Sequence, residues 1–221
     1  MVGIDKAGSP ILNSACLWPN AQGSAAYTFG GGEDWGLYYG SNVQPVAPAL
    51  WEFKPDNAGG GAWSPQNTGN TGFPVTRPTN GLQASGDGNG YYLGGFLNWG
   101  TYPKTSKGYM PVPNLIIYNS TANVWQNFTA SGFAAAGTAS YGGAQVVPTF
   151  GAEGLVVFFG GYVPTTNDLD YSSQQQGFNN IAVFDSHKQT WYHQNATGPI
   201  PEWRANFCNV GVQGANGTYE M

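Results

Sequence analysis

Residues 153–161 read EGLVVFFGG, and residues 87–95 read DGNGYYLGG. A third run, AAYTFGG at 25–31, ends in the same glycine pair, so the second glycines stand at 31, 95 and 161, with spacings of 64 and 66. Recurrence at a steady period marks a repeat architecture in which each unit is one supersecondary module. A short apolar run closed by two residues without Cβ reads as a strand ending where the backbone takes a positive φ or approaches another backbone closely.

Working outward, each run is followed by a second one: ALWEF ending at Phe53, NLIIY at Tyr118 and NIAVF at Phe184, which lie 22, 23 and 23 residues past the second glycine. A tryptophan then follows. Trp125 and Trp191 come seven residues after their aromatics, whereas Trp63 comes ten after Phe53, the extra residues fitting the turn PDNAGGGA. An apolar segment also precedes each glycine-pair run: SACLWP, NGLQAS and GAQVVP. Four strands per unit are predicted, here called a, b, c and d, in blade-like units at about 11–69, 79–131 and 142–198. A fourth unit, 204–221, starts at FCNVGVQ and turns at GANG. Strands b and c are almost continuously apolar, so both faces of each sheet must be covered. Radial stacking of four-stranded antiparallel sheets covers both faces with copies of the same sheet.

The ordered landmarks Gly30, Gly31, Phe53 and Trp63, then Gly94, Gly95, Tyr118 and Trp125, then Gly160, Gly161, Phe184 and Trp191 resemble the kelch repeat of the galactose oxidase/kelch-type β-propellers. The resemblance covers about residues 10–221 and is strongest to long-repeat kelch proteins of fungal cell surfaces. It implies an all-β fold, a partial kelch-type propeller of three blades plus the start of a fourth within one propeller portion, 1–221. Kelch rings usually close with six or seven blades, so the chain is expected to be part of a larger propeller with two uncovered blade faces.

Composition agrees with short strands and turns: 34 Gly, 15 Pro and 15% aromatic residues stand beside 9% charged residues. A net charge of −5 with seven Lys and Arg leaves no basic stripe for phosphates, so nucleic acid is not an expected partner. The stretch VGIDKAGSP after Met1 has neither a basic n-region nor an apolar h-region, and no run of eighteen apolar residues occurs. No targeting signal and no direct membrane insertion are expected from this stretch. Four N-glycosylation sequons begin at Asn119, Asn127, Asn195 and Asn216, more than this composition gives by chance, and argue for a secreted or cell-surface glycoprotein. Cys16 and Cys208 are too few for a disulfide framework or metal cluster. Both fall on predicted strands a across the hub from each other, and both are expected to be buried free thiols.

The b–c loops are long: EDWGLYYGSNVQPVAP, FLNWGTYPKTSKGYMPVP and YVPTTNDLDYSSQQQGF. They bring Trp35, Tyr38, Tyr39, Trp99, Tyr102, Tyr109, Tyr162 and Tyr171 to one face, away from the a–b and c–d turns. Such rings either supply a contact surface for a protein or glycan or bury one another as a minor core. None of the sequons falls in these loops. Glu33, Asp34, Asp168 and Asp170 also reach this face, where paired carboxylates could hydrolyse a glycoside or simply be solvated. The resemblance to galactose oxidase raises a copper site, but His187 falls in a c–d turn and His193 on an outer strand, so no metal or cofactor is expected. GDGNG at 86–90 reads as a tight a–b turn rather than a dinucleotide fingerprint, and no nucleophile elbow, P-loop or zinc-binding histidine pair occurs. The expected function is non-catalytic: a protein–protein interaction or scaffold module binding through the b–c loops. The alternatives are a glycan-binding propeller, or a sugar-active, galactose oxidase-like enzyme whose catalytic residues lie outside this stretch.

Overall fold

The computed structural model describes residues 12–33, 49–56, 58–68, 71, 75–98, 100–101, 109–133, 138–165 and 173–221. Strands β1 (Leu12–Pro19), β2 (Ala26–Glu33), β3 (Leu50–Pro55) and β4 (Gly61–Gln66) form one antiparallel sheet in chain order. The chain continues through β5 (Leu82–Gly86), β6 (Asn89–Leu93), the short β7 (Phe96–Leu97) and β8 (Met110–Pro111), β9 (Asn114–Asn119) and β10 (Val124–Thr129). A second sheet has the order β5-β6-β9-β10, and β7 pairs with β8 as a separate ribbon. Next come β11 (Gly143–Val147), β12 (Leu155–Phe159), β13 (Tyr162–Pro164), β14 (Ser173–Gln175), β15 (Asn180–Asp185) and β16 (Thr190–Asn195). They give a third sheet, β11-β12-β15-β16, and a β13-β14 ribbon. The expected all-β architecture of four-stranded antiparallel blades is present.

The landmark spacings have a simple origin. Phe53 pairs with Trp63, Tyr118 with Trp125 and Phe184 with Trp191, each directly opposite across the c–d hairpin. Their ring centroids are 5.1, 4.6 and 4.9 Å apart, and cross-strand aromatic pairs of this kind stabilise a sheet edge. The longer turn after Phe53 adds residues without disturbing the pair. The GDGNG segment is likewise a two-residue hairpin turn, with Asp87 at φ 49° and Gly88 at φ 75°. Positive φ at both central residues is the twist that joins two adjacent antiparallel strands.

Continuous apolarity follows from blade packing, because successive residues serve opposite neighbours. On β6, Tyr91 and Leu93 face the third sheet together with Val146, Val156, Phe158 and Phe184. Tyr92 turns the other way, into a cluster with Trp18, Phe29 and Leu50 of the first sheet. Ile116 and Ile117 on β9 divide between the same two clusters. Fully burying such side chains contributes roughly 1.5–3 kcal/mol each, so a polar residue on either face of β6 or β9 would be costly.

The fourth unit differs from its expectation. Its strands are confined to β17 (Val212–Gln213) and β18 (Tyr219–Glu220), and residues 207–211 carry no strand ladder. The segment is nonetheless extended beside β11. Asn206 N–H donates to the Tyr141 carbonyl at 2.9 Å, and Asn209 Nδ2 donates to the Ala144 carbonyl at 2.9 Å. The Tyr219 hydroxyl donates to the Val146 carbonyl at 3.0 Å, and Phe207 packs on Phe159 and Phe178. Because alternate residues of an extended segment point to opposite sides, Phe207 and Asn209 turn toward the third sheet and Cys208 turns away. This corrects the expectation of two buried thiols: Cys16 is buried and free, whereas Cys208 is free and exposed.

The starts of the strands a share a backbone device. Ser14, Asn80, Tyr141 and Asn206 occupy equivalent positions in the four units, and all have positive φ, between 53° and 59°. Tyr141 N–H donates to the Asn80 carbonyl at 2.9 Å, just as Asn206 N–H donates to the Tyr141 carbonyl. A bulky residue is disfavoured in this conformation, so the recurrent inter-unit hydrogen bonds must hold Tyr141 there.

Candidate functional site

The second and third b–c loops start at the glycine pairs, whereas Gly30 and Gly31 lie inside β2, which runs on to Glu33. Gly94 and Gly95 have φ of 66° and 70°, and a Cβ on Gly94 would overlap the carbonyl oxygen of Ala139, at the entry to the next sheet. Gly95 N–H donates to that carbonyl at 2.8 Å. The same contact recurs twice: Gly31 N–H donates to the Pro78 carbonyl at 2.8 Å, and Gly161 N–H to the Arg204 carbonyl at 3.1 Å. Glycine is therefore required for two reasons at once, a left-handed backbone and a backbone-to-backbone approach. The second and third loops are tied to the next unit where they leave their sheets, whereas Gly31 makes the tie inside β2, two residues before that strand ends.

The two later loops are also closed at the base. Val112 N–H donates to the Gly95 carbonyl at 3.0 Å, and Gln176 N–H to the Gly161 carbonyl at 2.9 Å. Next to these bonds are the β7–β8 and β13–β14 ribbons, whose own Phe96, Leu97 and Val163 are buried. Phe96 and Thr79 exchange two backbone hydrogen bonds, at 3.0 and 3.1 Å, and Tyr162 and Ser140 do the same at 2.8 and 2.9 Å. At the second loop, Gly100 N–H donates to Asn98 Oδ1 at 2.9 Å, and Asn98 N–H to Thr101 Oγ1 at 2.8 Å. The buried Arg77 reaches this corner with Nη2 donating to the Gly100 carbonyl at 3.3 Å.

Of the eight aromatic residues assigned to this face, Tyr109 and Tyr162 are described. Both are half-buried. Tyr109 meets Phe96 edge-on at 4.9 Å, and Tyr162 meets Trp203 at 4.9 Å and Tyr141 at 6.1 Å. At the loop bases these rings form a minor core. Trp35, Tyr38, Tyr39, Trp99, Tyr102 and Tyr171 lie outside the described residues, as do Asp34, Asp168 and Asp170; the backbone of Glu33 pairs with Leu12 at the end of β2. Sequence reasoning missed Trp203, whose Nε1 donates to the Gly161 carbonyl at 2.6 Å, and Arg77. The signal for both was positional: with Thr138 they are the residues just before Pro78, Ala139 and Arg204, whose carbonyls receive the glycine bonds.

The opposite face carries the a–b and c–d turns. Ser120 N–H of a c–d turn donates to the Gly88 carbonyl of an a–b turn at 2.8 Å, and His187 Nδ1 lies 3.3 Å from Glu153 Oε1 across the corresponding pair. His187 is exposed there, and His193 is exposed on β16. Among the described residues no group of three His, Cys, Asp or Glu side chains is placed to hold a metal. The sequon residues Asn127, Asn195 and Asn216 are exposed, whereas Asn119 is half-buried and donates Nδ2 to Asn89 Oδ1 at 2.9 Å.

No family model matches the chain. Among proteins of known sequence it is 27% identical over 247 aligned positions to a kelch repeat-containing protein of Arthroderma benhamiae, an alignment covering 96% of this chain and 34% of that protein. The chain thus spans about a third of its relative's length. Among solved structures it resembles that of YjhT, a kelch propeller, with a TM-score of 0.53 and 11% identity, covering 93% of this chain and 63% of the other. The sequence match and the blade architecture agree: the chain is similar to a kelch repeat-containing protein, and its four-stranded antiparallel blades have the propeller fold that it shares with YjhT.

Proposed function

We propose that the chain is a non-catalytic protein–protein interaction or scaffold module of a secreted or cell-surface kelch-repeat protein, binding a protein partner through the b–c loop face. The observation that carries this reading is the way the loops are mounted. Gly95 and Gly161 tie the departure points of the two later loops to the next unit, Gly31 makes the same tie near the end of β2, and Val112 and Gln176 close the two later loops at their bases. Loops held on a rigid frame present side chains with little ordering cost on binding, which is how scaffolds concentrate recognition in loops. The exposed sequon residues Asn127 and Asn195 sit on the outer strands β10 and β16, so glycans there would leave the loop face uncovered.

The test is affinity capture from the secreted proteins of the source organism, with cross-linking to locate the contact. Trp35→Ala combined with Trp99→Ala should abolish capture of a specific partner, while Tyr192→Ala on β16 should leave it intact. Capture indifferent to the loop variants, or cross-links confined to the outer strands, would overturn the loop-face reading.

A further inference from the structure

The strands a and the extended segment 206–209 line a cleft, open to solvent, of about 560 Å³, within the usual range of ligand pockets, roughly 300–1,000 Å³. Its walls come from all four units: Ser14 and its neighbours, the Asn80–Ser85 segment, residues 141–145, and residues 206–209. Among the described residues, none that lines it is Asp, Glu, Lys, Arg or His. Ser14, Asn80, Tyr141 and Asn206, the residues with left-handed backbone at equivalent positions of the four units, all line it.

The polar groups of the wall divide into two sets. Gln145 and Asn209 are engaged in holding the fourth unit: Asn209 Nδ2 reaches Gln145 Oε1 at 3.2 Å and the Ala144 carbonyl, and Gln145 Nε2 reaches the Tyr219 hydroxyl at 3.1 Å. Ser14, Gln83, Ser85 and Asn206 make no side-chain hydrogen bond among the described residues, and Ser14, Gln83 and Asn206 are exposed residues of the cavity lining. Two carboxamides and two hydroxyls supply both donors and acceptors around an uncharged space. An anion would find no guanidinium or ammonium there and a cation no carboxylate. An apolar ligand would find Leu17, Trp18, Tyr141 and Phe207 interleaved with polar side chains and glycine rather than a continuous apolar lining. Neutral ligands dense in hydroxyl groups match what remains.

We propose that the hub cavity binds a neutral, hydroxyl-rich ligand of mono- to disaccharide size, read by the Gln83 and Asn206 carboxamides and the Ser14 and Ser85 hydroxyls. This site lies among the inner strands and is independent of the loop-face reading.

The experiment titrates the full 221-residue chain with maltose, cellobiose and lactose by calorimetry, with glucuronate as a charged control. The expected result is saturable one-site binding of at least one disaccharide and weaker binding of glucuronate. Gln83→Ala and Asn206→Gly should each weaken it about five- to tenfold, the cost of one lost hydrogen bond. Glycine keeps the left-handed backbone at position 206, and circular dichroism verifies that both variants fold. Cys208, exposed on the cavity wall, supplies a local readout: bound sugar should slow its alkylation by N-ethylmaleimide. No saturable binding up to about 20 mM of any of the three sugars would overturn the proposal. So would binding that ignores both hub variants yet is lost in Trp35→Ala with Trp99→Ala, which would move the sugar to the loop face.

Discussion

Replacing Gly94 with alanine should uncouple the second blade from the third. The calculation starts from a paired control, Gly23→Ala. Gly23 and Gly94 have nearly equal φ, 67° and 66°, so alanine pays the same left-handed penalty at both, about 1–2 kcal/mol. A Cβ at Gly23 has nothing within 4 Å, so the control loses only that. At Gly94 the new Cβ would overlap the Ala139 carbonyl oxygen and lie 3.0 Å from Ala139 N and 3.1 Å from Thr138 Cβ. Ala139 and Thr138 are buried main-chain neighbours with no free space to retreat into. Forcing them back adds overpacking, typically about 1–3 kcal/mol, and breaks the 2.8 Å Gly95–Ala139 hydrogen bond, worth about 0.5–1.5 kcal/mol. Gly94→Ala should therefore destabilise the protein by about 3–6 kcal/mol, a large part of the whole stability of an ordinary domain. Urea unfolding followed by tryptophan fluorescence reads this directly, with the variant's midpoint lying about 1 M or more below that of Gly23→Ala. Equal midpoints for the two variants would show that the glycine pairs meet only a conformational demand and do not dock blades.

Three further outcomes follow from the packing. Trp125→Ala should cost about 3–5 kcal/mol, because this indole is buried against Tyr118 and Phe29 between the first two sheets, whereas the half-buried Trp63, paired with Phe53, should cost about 1–2 kcal/mol; urea midpoints give the ratio. Burial raises the pKa of the Tyr92 phenol well above its ordinary value near 10, outweighing the hydrogen bond from Gly81 N–H that favours the phenolate, and burial raises Tyr91 as well. The folded chain then keeps protons that the unfolded chain loses, so stability is full below pH 10 and falls as pH rises above it; midpoints flat from pH 9 to 11 would contradict this. Cys208 should react with a thiol reagent in the native protein and Cys16 only after unfolding, since Cys16 is buried with its pKa raised chiefly by desolvation; simultaneous reaction of both would contradict the placement.

Features encoded within a hairpin were legible in the sequence. The seven-residue interval from Tyr118 to Trp125 is a local property of two strands and their turn, and it delivered a register pair. Continuous apolar runs such as YYL and LVVFF announced two covered faces, and the sheets supply both. Contacts between units were not legible, because a hydrogen bond from Gly161 to the Arg204 carbonyl spans forty-three residues and imposes no pattern on those between. Trp203 and Arg77 owe their positions to such junctions, so neither stood out by spacing. Cys208 was misplaced for a related reason: its side is set by the neighbours Phe207 and Asn209, whose partners lie in another unit.

The candidate surface is partly legible in the same sense. Loop length and aromatic content marked the face, and at the loop bases Tyr109 and Tyr162 pack into a minor core rather than standing open. Which rings can touch a partner depends on how each loop folds against its neighbour, a tertiary matter that composition does not fix.

The central claim is that blades are docked through glycine amides at the loop departures, and amide hydrogen exchange tests it most directly. The N–H groups of Gly31, Gly95, Gly161, Tyr141 and Asn206 all donate across unit boundaries. They should exchange as slowly as the central amides of β6, β9, β12 and β15, because docked blades open only with the sheets themselves. Fast exchange at these five positions, with the sheets still protected, would contradict the account.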